Sequence, residues 1–479
     1  MKEDFPKKFR LISFYKEEWE TSQKILLQLK KQCSNTKFTS EEKFEKLCST
    51  IQIFESQHKF NQFNAEDIIN LHGKKCIGLY RSIKTYFKNN EENFYNKILP
   101  FIIDQALLLP ERGKNRYGEQ TLPLMISGKQ MKEEIPKKLI LSILSNTFFC
   151  NHKDFVSQLN LEQKRLTRLD EWCNVDWYWL YSFENDVSVN RLNCFLGYFD
   201  FSYTVFESKN NYFEKNVIVE RIILKSKEIV KILSSCEKIF NENDINIHCK
   251  SMDEPEIKTQ SIVDFANMDF QTGQIIPSAT QEEILFSTRP EMFIAMFICQ
   301  RIRENEIIII SGANKLFDYE GYSYSFKFVK INESIYQNYN SDLNETVLAL
   351  DSTMEDHYLS ESIIQDVSKY FTACSYCSKK YKNPGISTGS WGCGAFGCDK
   401  AHKFLQQIIC AKANDIKLSF STFGKENYRN SLKELLKCII NYVPRVCDLW
   451  KLIINFKGNS DEEFHRYLKK ELGNEFYIY

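Results

Sequence analysis

The sequence predicts an α/β layer structure that is preceded by a helical domain. Helical patterns fill the first third, whereas short β-rich runs alternate with helical patterns in the middle and C-terminal parts. The run Glu306–Ser311, EIIIIS, is apolar nearly throughout, as expected of a strand that is buried on both faces of its sheet. Ligands of such layered folds bind beyond the ends of the strands. We therefore expect the loops that follow the strands to carry the function.

Two segments of the first third have the spacing of amphipathic helices. Asn93–Leu109 repeats apolar residues at steps of three and four. This apolar face carries Ile98, Ile102, Ala106 and Leu109. A second helix is predicted over Pro136–Cys150, where Leu139, Ile143 and Thr147 would share one face. Its proline would lie in the first helical turn, where proline is tolerated. We place the helical domain at residues 1–165 and the α/β domain at residues 166–479.

The rest of the chain is expected to alternate strands with helices. The predicted strands are Asp244–His248, Ser261–Ala266, Glu306–Ser311, Thr346–Leu350 and Ile416–Thr422. The two clearest helical patterns between them are Gln281–Arg303 and Asp399–Lys412.

Composition narrows the classes of function. Apolar residues make up 43% of the 479 residues, which is too high for a disordered chain. Lys plus Arg equals Asp plus Glu at 63 each, so the chain lacks the net positive charge that broad docking on nucleic acid requires. The sequence predicts neither a membrane span nor a secretory signal. The sixteen cysteines are scattered, so we expect reduced thiols in the nucleus or the cytoplasm.

The first candidate site is an acidic pair at the start of a predicted helix. In Ser261–Phe286 a strand ends at Asp264–Asn267, a polar loop that contains a glycine follows, and Gln281, Glu282 and Glu283 begin an apolar helix. Acidic residues in a first helical turn are common because the helix dipole favours them. The functional alternative is general acid/base catalysis of glycosidic bond cleavage. One carboxyl group must then retain a proton near neutral pH, and a second acidic group nearby raises the pKa of the first or orients the sugar hydroxyls. The pair alone is compatible with both interpretations.

The second candidate site is a glycine-rich loop within Ile386–Ile409, followed by a helix that begins near Asp399. Its glycines are Gly389, Gly392, Gly394 and Gly397. Such a loop lets backbone N–H groups approach a phosphate closely. The segment has neither the usual dinucleotide fingerprint nor a Walker motif, and a tight structural turn is the alternative interpretation.

Aromatic residues beside glycines form a third group, with Tyr322, Phe396 and Phe423 as its members. Such rings can stack on a base or a ribose, although they are more often part of the core. Cysteine spacing suggests a structural zinc site at Cys374, Cys377, Cys393 and Cys398. We consider that site improbable because the second cysteine pair has four intervening residues and lies inside the glycine-rich loop, and we expect no metal.

These segments together resemble the poly(ADP-ribose) glycohydrolase family. The matching motifs are Val263–Asn267, Gln281–Glu283, Phe317–Phe328, Ile386–Gly397 and Ser419–Gly424. They occur in the order of the family, and the likeness covers roughly residues 90–455. The resemblance implies a macrodomain-like mixed sheet flanked by helices and preceded by the helical domain.

The resemblance also implies catalytic roles. Glu283 would protonate the ribose–ribose oxygen and then activate water. Glu282 would hold hydroxyls of the ribose at the cleaved bond, and Asp264 would support the acidic pair. Asn267 and Gln281 would fix the ribose.

For the rest of the substrate, the resemblance implies contacts by loops. Asp253 and Glu254 would contact the adenine edge. Tyr322 would close over the diphosphate, and Phe396 and Phe423 would pack on ribose and adenine. The diphosphate would be held by the loop around Gly273 and by Ser390, Trp391, Gly392, Cys393, Gly394 and Ala395. No metal or cofactor would be required.

One motif departs from the family. Where the family has three consecutive glycines, this chain has Gln271, Thr272 and Gly273, and Ser390 replaces an asparagine. A side chain with a Cβ resists close backbone approach and positive φ. Two interpretations therefore stay open: a hydrolase of the ribose–ribose linkage, or a protein that binds ADP-ribose or its polymer without turnover. In either case we expect a monomer that acts in the DNA damage response, in the nucleus or cytoplasm, without direct binding to DNA or membranes.

Overall fold

A computed structural model describes residues 8–58, 76–88, 90–114, 118–152, 158, 177–270, 278–332 and 346–473. Twelve strands are found among these residues: β1 (Lys8–Arg10), β2 (Thr121–Pro123), β3 (Met131–Pro136), β4 (Asn216–Ile223), β5 (Ile245–His248), β6 (Ser261–Asp264), β7 (Glu306–Ser311), β8 (Phe317–Glu320), β9 (Lys327–Ile331), β10 (Thr346–Ala349), β11 (Gly385–Thr388) and β12 (Lys417–Ser421). The five strands expected from the sequence are thereby confirmed as β5, β6, β7, β10 and β12; the bounds of β7 agree with the prediction, and the ends of the other four differ by at most two residues.

Eight strands form one mixed sheet in the order β3-β4-β7-β10-β6-β11-β12-β5. The pairs β10/β6, β6/β11, β11/β12 and β12/β5 are parallel, whereas β3/β4, β4/β7 and β7/β10 are antiparallel. Because parallel strands end at the same edge, the segments that follow β6, β10, β11 and β12 meet there. The acidic pair, the glycine-rich loop and the Phe423 segment follow three of these strands.

Helices cover both faces of this sheet. Those of the N-terminal part are Lys16–Cys33, Ser40–His58, Ile77–Tyr86, Leu99–Leu107, Leu109–Arg112, Lys137–Phe148, Trp177–Ser182 and Asp186–Glu207. The later ones are Ser226–Ser235, Gln281–Thr288, Ile294–Ile298, Ser360–Lys380, Lys400–Ala413, Glu426–Tyr442, Val446–Ile454 and Asp461–Leu472. None of the described helices is long and apolar enough to span a membrane.

The helical part is close to the sequence expectation. Lys137–Phe148 is helical with Pro136 as its N-cap residue, and Leu99–Leu107 continues a π-helical turn at Phe94–Ile98. One strand of the large sheet, β3, nevertheless lies in this first third of the chain, where it pairs with β4. The predicted domain boundary at residues 165/166 lies outside the described residues.

The prediction of a single helix over Gln281–Arg303 was wrong. The helix ends at Thr288, and Arg289 leaves helical geometry at φ −129° and ψ 67°. Pro290 explains this end, because its ring disfavours helical geometry in the preceding residue. A 3₁₀ turn at Pro290–Phe293 and a short helix at Ile294–Ile298 follow.

The core lies on both faces of the sheet, as the composition of β7 predicted. Ile308 and Ile310 belong to the cluster that includes the N-terminal helices. Ile307 and Ile309 belong to the cluster that includes the C-terminal helices. Successive side chains of a strand point to opposite faces, so both layers bury apolar residues of the same strand.

Candidate active site

The acidic pair lies beside the end of β6 because a capped helix begins there. Thr280 is the N-cap residue, and its backbone N donates to Glu283 Oε2 at 2.8 Å. The Thr280 hydroxyl donates to the same oxygen. Glu283 is thus part of a capping box, and its Oε1 accepts no hydrogen bond from the described residues. Glu283 therefore does serve as a helix-start residue. Its capping role uses Oε2 and leaves Oε1 available to a substrate.

Glu282 and Asp264 are buried together next to Glu283. Asp264 ends β6, is fully buried, and has no hydrogen-bond partner on either carboxylate oxygen among the described residues. Glu282 Oε2 accepts one long hydrogen bond of 3.4 Å from the backbone N of Asn267, and Oε1 accepts none. Burial, with Glu283 adding to it and Arg289 opposing it, raises the pKa of Asp264 to about 8. Burial, then Asp264 and Glu283, raises the pKa of Glu282 well above its ordinary value. Both shifts favour the protonated forms of these carboxyl groups.

Gln281 ties the start of this helix to the end of β6. Its Oε1 accepts from the backbone N of Phe265 at 2.8 Å, and its Nε2 donates to the carbonyl of Val263 at 2.8 Å. Asn267 Oδ1 accepts from the backbone N of Asp269 at 3.1 Å. Both side chains therefore contact the protein backbone, and their expected contact with a ribose stays a prediction.

The glycine-rich loop is built around a buried tryptophan. Trp391 is 1% exposed, its Nε1 donates to the carbonyl of Leu350 at 2.8 Å, and Lys403 Nζ lies 4.3 Å from the ring centroid. Gly392 has φ +75°, and a Cβ there would lie 2.5 Å from Ser352 Oγ. Trp391 thus anchors the loop, and only glycine fits the next position.

The outer part of the same loop can receive an anion. The backbone N–H groups of Gly394, Ala395 and Phe396 find no acceptor among the described residues, and Gly394 and Ala395 are exposed. Asp399 Oδ1 caps the following helix by accepting from the backbone N of His402 at 2.8 Å. Unpaired N–H groups in front of a helix start are a suitable cradle for a phosphate. Inside the loop, Ser390 Oγ lies 3.4 Å from Tyr428 Oη, and Cys393 Sγ lies 3.4 Å from the Trp391 carbonyl.

Two of the predicted aromatic residues meet near the acidic pair, and the strand edge between the acidic pair, these rings and the glycine-rich loop is called the cleft below. The rings of Tyr322 and Phe423 lie 5.2 Å apart in an edge-to-face contact, and they are 39% and 47% exposed. Burial, and then the charge of Glu283, raises the pKa of Tyr322. Ser323 and Ala279 exchange two backbone hydrogen bonds of 2.7 and 3.2 Å, which fasten the tyrosine-bearing turn to the start of the acidic helix. Phe423 has φ +49°, an uncommon conformation for a non-glycine residue.

The structure separates the roles of Asp253 and Glu254. Glu254 is exposed, whereas Asp253 Oδ1 accepts from Arg289 Nη2 at 2.7 Å and Asp253 Oδ2 accepts from the hydroxyl of Tyr319 at 2.8 Å. Sequence reasoning missed Arg289 and Tyr319. The available signal was an arginine directly before Pro290, at the point where the helix has to end.

Two sequence features lie apart from this site or outside the described residues. Gln271, Thr272 and Gly273, which replace the triple glycine, are not among the described residues. Of the four cysteines, Cys377 Sγ lies 3.2 Å from Ser261 Oγ, and Cys398 Sγ lies 3.3 Å from His357 Nδ1. The described part of the chain contains no group of three or more histidine, cysteine or acidic residues placed to hold a metal ion.

Comparison with known proteins identifies the family. A model described as poly(ADP-ribose) glycohydrolase, macro domain fold, matches residues 231–430, and one described as the helical domain of the same enzyme matches residues 86–221. The chain belongs to the poly(ADP-ribose) glycohydrolase family. Its fold is accordingly a helical domain followed by a macrodomain, which confirms the predicted class.

Several relatives resemble the chain over part of their length. Poly(ADP-ribose) glycohydrolase 1 of Caenorhabditis elegans is 29% identical over 191 residues, which are 36% of this chain and 24% of the relative. Poly(ADP-ribose) glycohydrolase 2 of the same organism is 29% identical over 233 residues, or 45% and 47% of the two chains. Probable poly(ADP-ribose) glycohydrolase 2 of Arabidopsis thaliana is 23% identical over 435 residues, or 78% and 80%. The match thus covers less than half of each worm protein.

Proposed function

We propose that this protein hydrolyses the ribose–ribose O-glycosidic bonds of poly(ADP-ribose) and releases ADP-ribose. The observation that carries the proposal is the cluster of Asp264, Glu282 and Glu283 at the strand edge, with two of its carboxyl groups buried and disposed to retain protons. Membership in the poly(ADP-ribose) glycohydrolase family supports this substrate.

In the proposed reaction, Glu283 donates a proton to the oxygen that links the two riboses. The bond from the anomeric carbon to that oxygen breaks, and the ribose acquires oxocarbenium character. Glu283, now a carboxylate, accepts a proton from the water that attacks the anomeric carbon, which restores the acid. Glu282 would accept hydrogen bonds from hydroxyls of this ribose, and Asp264 would remain neutral beneath it.

The remainder of the substrate would be held without side-chain cations. The N–H groups of Gly394, Ala395 and Phe396 lack protein acceptors among the described residues, and Gly394 and Ala395 are exposed, so these groups suit the diphosphate. Tyr322 and Phe423 would pack against the diphosphate and the adenosine. Backbone dipoles that are already in place stabilise such charge at little reorganisation cost.

The test compares wild type with Glu283→Gln on purified poly(ADP-ribose), with ADP-ribose release as the readout. We expect the variant to lose activity by about 10²–10⁴-fold, the usual contribution of a general acid/base. Glu304→Gln is the matched control, because Glu304 is exposed and lies outside the site. Equal rates for wild type and Glu283→Gln would contradict the assigned role.

A second candidate function is favoured by the replacement of two family glycines with Gln271 and Thr272. In that case the protein would bind ADP-ribose or its polymer without cleaving it. Calorimetric binding of ADP-ribose by a wild-type protein that releases none from the polymer would support this candidate. Returning both positions to glycine should then raise affinity or restore release.

A further inference from the structure

Asp253 is a junction between three segments of the cleft. It lies in the connection between β5 and β6, next to Glu254. One of its oxygens accepts from Arg289, which directly follows the helix that carries Glu282 and Glu283. The other accepts from Tyr319, which lies on β8, the strand that leads into Tyr322. One carboxylate therefore joins the segments that carry Glu254, the acidic pair and Tyr322.

The junction is buried and its charge is balanced. The side chains of Arg289 and Asp253 are 0% and 4% exposed. Burial alone would raise the pKa of Asp253, but Arg289, with Lys315 and Tyr319 assisting, holds that pKa well below its ordinary value. Asp253 is therefore a carboxylate at neutral pH, and breaking a buried ion pair by removing one partner is strongly unfavourable.

Arg289 is held independently of Asp253. Its backbone N donates to the carbonyl of Leu285 at 2.9 Å, and its Nη1 donates to Thr288 Oγ1 at 3.1 Å. The Thr288 carbonyl in turn accepts from the backbone N of Leu316 at 2.9 Å, just before β8. The guanidinium is thus a fixed point at the end of the acidic helix, against which the Asp253 connection is positioned.

We propose that Arg289, Asp253 and Tyr319 form a positioning clamp that sets the distance between the adenosine-facing loop and the reacting carboxyl groups. This inference rests on the proposed function, since it assumes that ADP-ribose units occupy the cleft. Both oxygens of Asp253 accept hydrogen bonds from the protein, so we assign this residue to positioning, and its contact with the adenine edge stays a prediction. Glu254, its exposed neighbour, is the residue that the clamp places.

The clamp should act on binding rather than on the chemical step. Glu254 and Tyr322 would contact parts of the substrate that do not react, and such contacts are equal in the ground state and the transition state. Loss of uniform binding raises KM and leaves kcat unchanged.

The main test variant is Tyr319→Phe, which removes one hydroxyl and leaves the Arg289–Asp253 pair in place. The matched control is Tyr376→Phe. The hydroxyl of Tyr376 donates to Glu220 Oε1 at 2.6 Å, so the control also removes a tyrosine–carboxylate hydrogen bond, but on the β4 side of the sheet. Both variants should lower the Tm to a similar extent.

With wild type active on poly(ADP-ribose), we expect Tyr319→Phe to raise KM, and the Kd for ADP-ribose in calorimetry, by about three- to tenfold with kcat within about twofold. Tyr376→Phe should leave KM, kcat and Kd within about twofold of wild type. Equal values for the two variants would overturn the clamp, as would a fall in kcat at unchanged KM.

A second variant pair tests the ionic half of the clamp. Arg289→Met leaves Asp253 buried without its cation and should weaken ADP-ribose binding more than the double change Asp253→Asn with Arg289→Met. A double variant that binds ADP-ribose as weakly as Arg289→Met, or more weakly, would overturn the coupling. If the wild type binds ADP-ribose but releases none from the polymer, the hydrolase proposal is wrong. The Kd values of Tyr319→Phe and Tyr376→Phe for ADP-ribose then still test the clamp. A wild type that neither binds nor cleaves contradicts both.

Discussion

Behind the glycine-rich loop, two buried aspartates each face a lysine, whereas Asp264 and Glu282 lie buried at the cleft beside each other. Asp366 pairs with Lys403, and both side chains are 1% exposed. Asp366 also accepts from the backbone N and the hydroxyl of Thr353, at 2.9 Å each. Asp351 accepts from Lys369 at 2.6 Å. Asp264 accepts no hydrogen bond from any described residue.

The difference shows how one fold uses buried acidic groups for two purposes. A buried carboxylate that faces a buried cation and accepts hydrogen bonds has its charge compensated within the fold. A carboxyl group that is buried next to other acidic groups keeps its proton, and the fold loses stability when that proton is removed. Perturbed groups of the second kind are typical of functional sites. The comparison therefore supports the proposal that the acidic group Asp264, Glu282 and Glu283 carries the chemistry, whereas the lysine-paired aspartates support the fold.

The largest expected effect tests the buried ion pair between Lys403 and Asp366. Lys403→Met leaves Asp366 buried without its cation and should lower the free energy of unfolding by about 3–5 kcal/mol. Chemical denaturation monitored by circular dichroism measures this change. Lys433 is exposed, so Lys433→Met is the matched control and should change the free energy by less than about 0.5 kcal/mol. Similar losses in both variants would remove the distinction between the two groups of acidic residues.

The next effect tests whether the unfolding free energy depends on pH through the buried carboxyl group of Asp264. The pKa of Asp264 is raised to about 8 by burial and then by Glu283. Between pH 4 and pH 8 the unfolded chain loses this proton while the folded chain keeps it, so the stability contributed below pH 4 is lost as pH rises toward 8. Asp264→Asn cannot titrate. The fall in unfolding free energy from pH 5 to pH 8 should therefore be smaller in the variant, by on the order of 2–4 kcal/mol.

Denaturation curves at several pH values provide the measurement, with ADP-ribose release followed in parallel. Parallel pH profiles for wild type and Asp264→Asn would show that Asp264 is ionised in the folded protein. If the unfolding free energy of Asp264→Asn varies less with pH than that of wild type, and the variant also releases less ADP-ribose, then the buried Asp264 lowers stability while it supports activity.

The smallest expected effect compares two glycines within the glycine-rich loop. Gly392→Ala places a Cβ 2.5 Å from Ser352 Oγ at φ +75°, so a loss of about 1–3 kcal/mol in unfolding free energy is expected. At Gly394 a Cβ would meet no atom within 4 Å, so Gly394→Ala should change stability by less than about 0.5 kcal/mol. Thermal denaturation of both variants decides this. A destabilising Gly394→Ala would mean that the outer loop is packed rather than open.

Much of the fold could be predicted from local patterns. The continuous apolar run in EIIIIS, the proline at position 136 and the acidic pair Glu282–Glu283 each indicate an element by its own chemistry, and the structure contains these elements. The long helix over Gln281–Arg303 was predicted too long because its apolar pattern continues past Pro290, while the proline ring ends the helix at Thr288. Strand β3 was missed because its sequence, MKEEIP, is mostly polar and lies at the edge of the sheet.

The sequence by itself determined which residue types were available at the cleft. The order of motifs identified the acidic pair, the glycine-rich loop and the two aromatic residues, since each lies in a short contiguous segment. Only the tertiary structure decided which carboxyl groups are compensated. That depends on partners far apart in the chain, such as Arg289 for Asp253 and Lys403 for Asp366. Burial and partner distance set the charge state of a carboxyl group, and neither quantity is encoded in the residues next to it.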